Sequence, residues 1–246
     1  MPYQHSIHAL QIAYLGFCGV VGKLRLLPSV LARKLMHIGT GPIYLLCWPL
    51  YTAAPASRWL AASVVVAAGL QFALVGSGAV RSEALVAGVS RTGRREELLR
   101  GPLYYAIAHV AVTLALWRGS PAGVLALAML CGGDGLAEVV GRSAGSRTPR
   151  LPHNPSKTWA GSLACWAGGS ATALPLLLHF RACGMFDAAL AAGGPAAAAL
   201  SGWRLAAGVG LCSGIGAAVE SLPLGDADNF AVPAATALAA RLYFGR

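Results

Sequence analysis

The chain is a succession of long apolar segments separated by short polar joints. Seven or eight such segments can be drawn, and a transmembrane helix needs about 20 largely apolar residues. Charged residues make up 11% of the sequence, against about 25% in a typical soluble domain. We therefore expect an all-α, polytopic transmembrane bundle that forms one integral membrane domain over residues 1–246. The approximate cores of the predicted spans are 6–22, 35–55, 59–80, 102–117, 121–140, 159–179, 203–222 and 230–244.

The cations divide unevenly between the two faces that alternate joints would create. One face, called the basic face here, receives most of the 19 lysines and arginines: Lys23, Arg25, Arg33, Lys34, Arg81, Arg91, Arg94, Arg95, Arg100, Arg142, Arg147, Arg150 and Lys157. The opposite face receives Arg58, Arg118, Arg181 and Arg204. This asymmetry is typical of multi-pass proteins, whose basic loops set their orientation in the bilayer. No basic stripe carries interleaved aromatics, so we expect no nucleic-acid partner.

Two further features limit the function classes. The six cysteines form no C-x-x-C pair, which argues against a disulfide framework or a zinc site. The first residues, "MPYQHSIHAL", do not resemble a signal or transit peptide. We expect targeting either through the first helix or through a segment upstream of this sequence.

Three acids lie within predicted spans, near their basic-face ends: Asp134, Glu138 and Glu220. Ionisable groups at membrane depth are costly and are functional candidates by default. Asp134, Glu138 and Arg142 are spaced i, i+4, i+8, which places them on one side of a helix. Two carboxylates a turn apart suit a Mg²⁺ ion that also holds phosphate oxygens. The alternative is structural, with Glu138 paired to Arg142 and Asp134 capping the helix N-terminus.

The loop that follows, "GRSAGSRTPRLPHNPSKTW", combines glycines, prolines and cations. Glycines allow close backbone approach, and prolines stiffen a loop that must hold its shape. Arginine grips phosphate in a bidentate manner and lysine acts as a point charge, so the loop indicates phosphate binding. The sequence has no P-loop and no H-R-D or D-F-G set, which excludes the common kinase scaffolds.

Four stretches together resemble a known family. They are "CGGDGLAEVVGRSAGSRTPRLPHNPSKTWAGS" at 131–162, "RKLMHIGTG" at 33–41, "VSRTGRREELLRGPLYY" at 89–105 and "ESLPLGDADNFAVP" at 220–233. In this order they resemble the phytol kinases of plants and cyanobacteria and their farnesol kinase relatives. The resemblance implies a multi-pass membrane enzyme of the chloroplast that uses CTP, or UTP, to phosphorylate phytol or a related isoprenoid alcohol. Phytyl phosphate would then feed tocopherol synthesis.

The central stretch is also similar to dolichol kinases and CDP-diacylglycerol synthases, which share CTP as a substrate. The resemblance therefore implies a nucleotide and Mg²⁺ site mainly in 131–162, with loops 81–101 and 220–233. In this chain the shared element maps to Asp134, Gly141, Gly145, Lys157, Thr158 and Gly161. For phosphoryl transfer we expect Asp134, Glu138 and Lys157 to be catalytic, and Asp134, Glu138 and Asp228 to be metal ligands, with the ribose as an alternative partner of Asp228. The expected nucleotide-binding residues are Gly135, Gly141, Arg142, Gly145, Asn154, Thr158 and Gly161.

Two positions depart from the patterns of these families. Ser156 stands where phytol kinases commonly carry arginine, so one phosphate contact is either lost or replaced by Arg150. Ala160 stands where the cytidylyltransferases commonly carry glutamate, which favours the kinase. The alternative functions are a CTP-dependent lipid cytidylyltransferase and a transporter with a phosphate-binding vestibule. A transporter would require broken-helix repeats, which the sequence does not display.

Overall fold

The computed structural model describes residues 29–245 together with Ala13, Tyr14, Gly16, Phe17 and Val20. Apart from those five residues, the predicted span 6–22 lies outside the described part. The described helices are α1 (Ser29–Leu46), α2 (Ser57–Ser77), α3 (Glu83–Val89), α4 (Gly101–Ala115), α5 (Pro121–Ala128), α6 (Asp134–Ala144), α7 (Trp159–Ala182), α8 (Asp187–Ala192), α9 (Gly194–Ala199), α10 (Gly202–Glu220) and α11 (Asp228–Phe244). A π-helical turn, Met129–Gly133, joins α5 to α6, and short 3₁₀ turns occupy Trp48–Leu50, Arg95–Leu99, Gly145–Arg147 and Gly225–Ala227.

Five helical segments in the described residues are long and apolar enough to cross a membrane. They are Ser57–Ser77, Arg95–Ala115, Pro121–Ala144, Trp159–Ala182 and Gly202–Glu220. Each coincides with a span predicted from the sequence, so the all-α, polytopic fold is confirmed. Helices α1 and α11 overlap two further predicted spans, and the total of seven or eight stays a prediction.

Helix α5 runs through the π turn into α6, and this continuous segment is the most buried of the five. Every residue of α5 is buried, which fits its uniformly apolar sequence. A helix that is hydrophobic on all sides belongs inside a bundle. Helices α7, α10 and α11 pack against it.

Glycines allow α7 to approach this segment closely. A Cβ atom added to Gly168 would lie 2.7 Å from the carbonyl oxygen of Gly132, and one added to Gly161 would lie 3.2 Å from the carbonyl of Ala137. Both obstacles are backbone atoms that cannot rotate away. Small residues at such crossings are the usual means of close helix packing in membranes.

The one β structure in the described residues is a hairpin of β1 (Arg150–Leu151) and β2 (Asn154–Thr158). The sequence predicted an irregular joint here, between the spans ending at 140 and starting at 159. Instead, α6 continues to Ala144, and the hairpin leads directly into α7. Its strand β2 therefore lies against the N-terminus of a membrane-length helix.

The contacts divide the chain into two compact units, Met1–Leu114 and Ala115–Arg246. The first includes the 81–101 joint, which is folded rather than extended, because the Glu97 carboxylate accepts hydrogen bonds from Ser90 and Thr92. The second holds every catalytic, metal and nucleotide-binding residue predicted from the sequence. A single domain over 1–246, and a role for loop 81–101 in the site, both stay predictions.

Candidate functional site

Asp134 follows directly after the π turn and is partly buried. Its backbone is right-handed helical, with φ −60° and ψ −40°, and the helix continues on both sides of it. Asp134 therefore does not cap a free helix end, and that alternative is wrong. Single π turns inside helices frequently mark functional sites.

Four helices meet beneath this aspartate in one buried cluster. The cluster consists of Met129, Ala137, Cys165, Ala217 and Val232. Residues three or four apart lie on the same face of a helix. Asp134 is three residues before Ala137, Glu220 three after Ala217, and Asp228 four before Val232. All three acids therefore sit on the faces that converge on this cluster.

Lys157, on β2, links two of these acids. Its ammonium donates to Oε1 of Glu220 at 2.6 Å and to the backbone carbonyl oxygen of the same residue. The Nζ atom also lies 3.9 Å from Oδ2 of Asp228. The Glu220 side chain is only 7% exposed, so its charge is withdrawn from water and balanced by the lysine.

Two neighbouring hairpin residues dock on Ser221, next to Glu220. Nε2 of His153 lies 3.0 Å from the Ser221 hydroxyl, and the Asn154 amide donates to the Ser221 carbonyl at 3.0 Å. The last carbonyls of a helix lack partners within the helix. The hairpin satisfies this need at the end of α10 and is thereby fixed to it.

The electrostatics around Asp228 tie the cluster together. Asp228 is the first residue of α11 and precedes the predicted span 230–244. Its pKa is raised to about 6, first by burial and then by the negative charge of Asp134, with a further contribution from Glu220. Lys157 opposes this rise. Asp134, Lys157, Glu220 and Asp228 therefore act on one another as a single charged cluster, called the α10–hairpin cluster below.

Three predicted nucleotide-binding residues have structural partners at the start of α7. The Thr158 hydroxyl accepts from the backbone N–H of Gly161 at 3.1 Å, which is an N-cap. A Cβ on Gly161 would lie 3.5 Å from Cα of Gly141, so these two glycines form a helix crossing. Their nucleotide-binding roles stay predictions, since capping and close packing already account for them.

The remaining predicted nucleotide-binding residues lie in different surroundings. Asn154 is buried and also accepts from Ser156, so both ends of its amide are used. Gly135 is buried within α6. Gly145 has φ +52°, a conformation that favours glycine. A Cβ there would meet no atom within 4 Å, so Gly145 turns the chain at an open position.

Glu138 and Arg142 form the ion pair that the spacing allowed. The Arg142 guanidinium lies 3.0 Å from the Glu138 carboxylate, and its side chain is 55% exposed. No group of three or more His, Cys, Asp or Glu side chains in the described residues is arranged to hold a metal ion. A Mg²⁺ site there would rely on one or two carboxylates plus phosphate oxygens and water, which is common for this ion.

Arg150 lies beside the serine that replaces the family arginine. Its guanidinium donates to the Ser156 carbonyl at 3.3 Å across the hairpin, and both side chains are exposed. An arginine is therefore present next to position 156, on the neighbouring strand.

Glu220 received no role in the predicted site. The sequence marked it as an acid at membrane depth, but its partner is 63 residues away, at Lys157. From the sequence, one could predict only that a buried carboxylate needs an opposite charge nearby. Local spacing could not identify which cation supplies it.

Comparison with known proteins decides the family. The chain is 37% identical to phytol kinase 1, chloroplastic, of Arabidopsis thaliana over 226 residues, covering 91% of this chain and 69% of that protein. It is 38% identical to a probable phytol kinase, chloroplastic, of Triticum aestivum, covering 90% of this chain and 70% of that protein. The chain belongs to the phytol kinase family.

Another relative widens the range of alcohols named within this phytol kinase family. The farnesol kinase, chloroplastic, of Arabidopsis thaliana is 35% identical over 173 residues, covering 70% of this chain and 56% of that protein. No family model and no solved structure matches the chain. The geometry of the α10–hairpin cluster therefore stands on this structure alone.

Proposed function

We propose that this chain phosphorylates the primary hydroxyl of phytol, or of a related isoprenoid alcohol, with CTP as the phosphoryl donor. It is a multi-pass kinase of the chloroplast membrane, like the relatives it matches. The observation that carries the proposal is the α10–hairpin cluster. It gathers three carboxylates and a lysine at the ends of apolar helices, where an amphiphilic alcohol presents its hydroxyl.

The roles follow from what phosphoryl transfer requires, which is mainly positioning and neutralisation of charge. Lys157 lies on the hairpin that ends a cationic loop, and its ammonium suits the charge that develops between the β- and γ-phosphates. Arg142 and Arg150 are exposed on the same stretch and available to phosphate oxygens. Gly135, Gly141, Gly145, Asn154, Thr158 and Gly161 shape the backbone around the nucleotide.

We propose that acids of the cluster bind a Mg²⁺ ion together with phosphate oxygens and water. Burial, followed by the negative charges of Asp134 and Glu220, raises the pKa of Asp228, and Lys157 opposes this rise. A bound cation would relieve the repulsion at this carboxylate. Asp134 and Asp228 would hold the ion, with Glu138 either as a further ligand or as acceptor of the alcohol proton. When bound, Mg²⁺ neutralises charge on the nucleotide phosphates.

CTP, with UTP as the alternative donor, rests on the resemblance of 131–162 to the dolichol kinases and CDP-diacylglycerol synthases. A place in tocopherol synthesis rests on the resemblance to the phytol kinases. The kinase relatives disfavour the cytidylyltransferase alternative. The long isoprenoid tail would lie in the bilayer against the exposed apolar helix faces.

The test is CTP labelled at either the α- or the γ-phosphate, incubated with phytol and membranes that contain the chain. We expect γ-label in the lipid product and α-label only in soluble nucleotide. Membranes from the same host without the chain provide the background. Appearance of α-label in lipid would establish the cytidylyltransferase instead. No labelled lipid with phytol, geranylgeraniol or farnesol would contradict the proposed kinase.

A further inference from the structure

Glu220 is the most buried acidic residue in the part of the chain that the structure describes. It ends α10 with its side chain 7% exposed, and it holds Lys157 through both its carboxylate and its carbonyl oxygen. The carbonyl bond is typical of a cation that caps a helix C-terminus. The carboxylate bond adds a charge pair that the helix end does not require.

The contacts of Lys157 explain what this pair does. An ammonium group has three N–H donors. Two of them bond to the backbone carbonyl oxygen and to Oε1 of Glu220. Within the described residues, no further acceptor lies at hydrogen-bond distance for the third, since Oδ2 of Asp228 is 3.9 Å away. The ammonium is thus held at a fixed point, near Asp228, with one donor left for an outside oxygen.

The hydrogen bonds of the hairpin attach it to the C-terminal end of α10. His153 and Asn154 bond to Ser221, the residue after Glu220. These bonds fix the strand but not the long, flexible lysine side chain, which loses up to about 2 kcal/mol of rotamer entropy when ordered. Glu220 is the group that orders it.

We infer that Glu220 is the positioning residue of the phosphate-binding lysine, acting through Lys157 and not as a metal ligand. This inference rests on the proposed kinase function for its catalytic consequence. Its structural part, an obligatory buried charge pair between Glu220 and Lys157, holds independently of the reaction. Loss of the pair would leave an ammonium that binds phosphate without being held in the reacting geometry.

The stability test uses a double-mutant cycle on the purified full chain in detergent. Lys157→Met leaves Glu220 buried without its cation, so we expect Tm to fall by about 5 °C or more. Adding Glu220→Gln removes the unpaired charge and should recover most of that loss. If Lys157→Met yields no folded protein, recovery of folded protein in the double variant gives the same result. Additive losses, or no recovery, would overturn the pair.

The kinetic test separates positioning from metal binding. Glu220→Gln keeps an oxygen that can accept from Lys157 but loses the charge. We expect kcat to fall about 10–100-fold, with little change in the KM for CTP or in the Mg²⁺ concentration needed for half activation. In the Lys157→Met background, Glu220→Gln should reduce kcat no further.

Asp187→Asn is the control, because Asp187 is an exposed acid at the start of α8, outside every stretch assigned to the predicted site. We expect it to retain wild-type kcat.

A shift in the Mg²⁺ concentration needed for half activation with Glu220→Gln, persisting in the Lys157→Met background, would make Glu220 a metal ligand and overturn the inference. An inactive wild-type chain would instead contradict the kinase function, while the stability cycle would still decide whether the pair is obligatory.

Discussion

At the scale of single residues, Lys157 contributes to folding and has a role in the proposed reaction. The end of α10 needs donors for its carbonyls, and the Lys157 ammonium supplies one. The same ammonium balances a buried carboxylate and, in the proposed kinase, donates to phosphate. A purely structural cap would require no acid at Glu220, so the acid is the more informative partner.

Substitutions at Glu138 and Arg142 distinguish a structural ion pair from a catalytic role of Glu138. If its role is only the ion pair with exposed Arg142, then Glu138→Gln and Arg142→Met should each change activity less than about 3-fold, since such pairs contribute under about 1 kcal/mol. If it is a metal ligand or base, as proposed, Glu138→Gln should lose about 100-fold or more. The measurement is γ-phosphoryl transfer at saturating CTP.

Asp134→Asn provides the reference for this comparison. We expect it to abolish turnover while the protein remains inserted, because it removes the proposed Mg²⁺ ligand next to the π turn. Near-equal small effects of Glu138→Gln and Arg142→Met, beside an inactive Asp134→Asn, would remove Glu138 from the catalytic group.

At the scale of elements, the crossing of α6 and α7 positions the whole site. Thr158 caps α7, Gly161 and Gly141 bring α7 against α6, and β2 enters directly before them. The position of Lys157 therefore depends on this helix crossing as well as on its contacts with Glu220. A substitution that separates α6 from α7 should therefore displace Lys157 even though no charged residue is changed.

Gly168→Ala tests that crossing. Its Cβ would lie 2.7 Å from the Gly132 carbonyl and the same distance from Cδ1 of Leu136. We expect a loss of about 1–3 kcal/mol of stability, because a backbone atom cannot move aside without separating the helices. Gly210→Ala is the matched control, since a Cβ there meets no atom within 4 Å. Equal Tm values for the two variants would contradict the close crossing.

The sequence predicted the helices well and the contacts between them poorly. Apolar length and a low charge content identify α2, α4, α7 and α10 as spans without reference to any neighbour. The hairpin escaped prediction because β1 has two residues and β2 contains Pro155, so neither displays a strand pattern. The pairing of Lys157 with Glu220 joins residues 63 apart, and only the packing of α7 against α10 brings them together.

At the scale of the whole molecule, the prediction that remains to be tested is sidedness. Helix α7 has 24 residues, about 36 Å at 1.5 Å per residue, which exceeds a hydrocarbon core of about 30 Å. Arg147 precedes it and Cys183 follows it, and both are exposed; the sequence predicts the basic face for Arg147 and the opposite face for Cys183. If α7 crosses the membrane, these two positions lie on opposite sides.

Labelling with a membrane-impermeant thiol reagent tests this directly. In a Cys18→Ser background, the other described cysteines, Cys47, Cys131, Cys165 and Cys212, are buried, so Cys183 should be the main reactive thiol. We expect sealed vesicles to label either Cys183 or an introduced Arg147→Cys from outside, and detergent to expose both. The Cys18→Ser protein that also carries Cys183→Ser, without Arg147→Cys, should remain unlabelled both in sealed vesicles and in detergent. Labelling of both positions from the same side would show that α7 does not cross, and would remove the basis for placing the α10–hairpin cluster on the basic face.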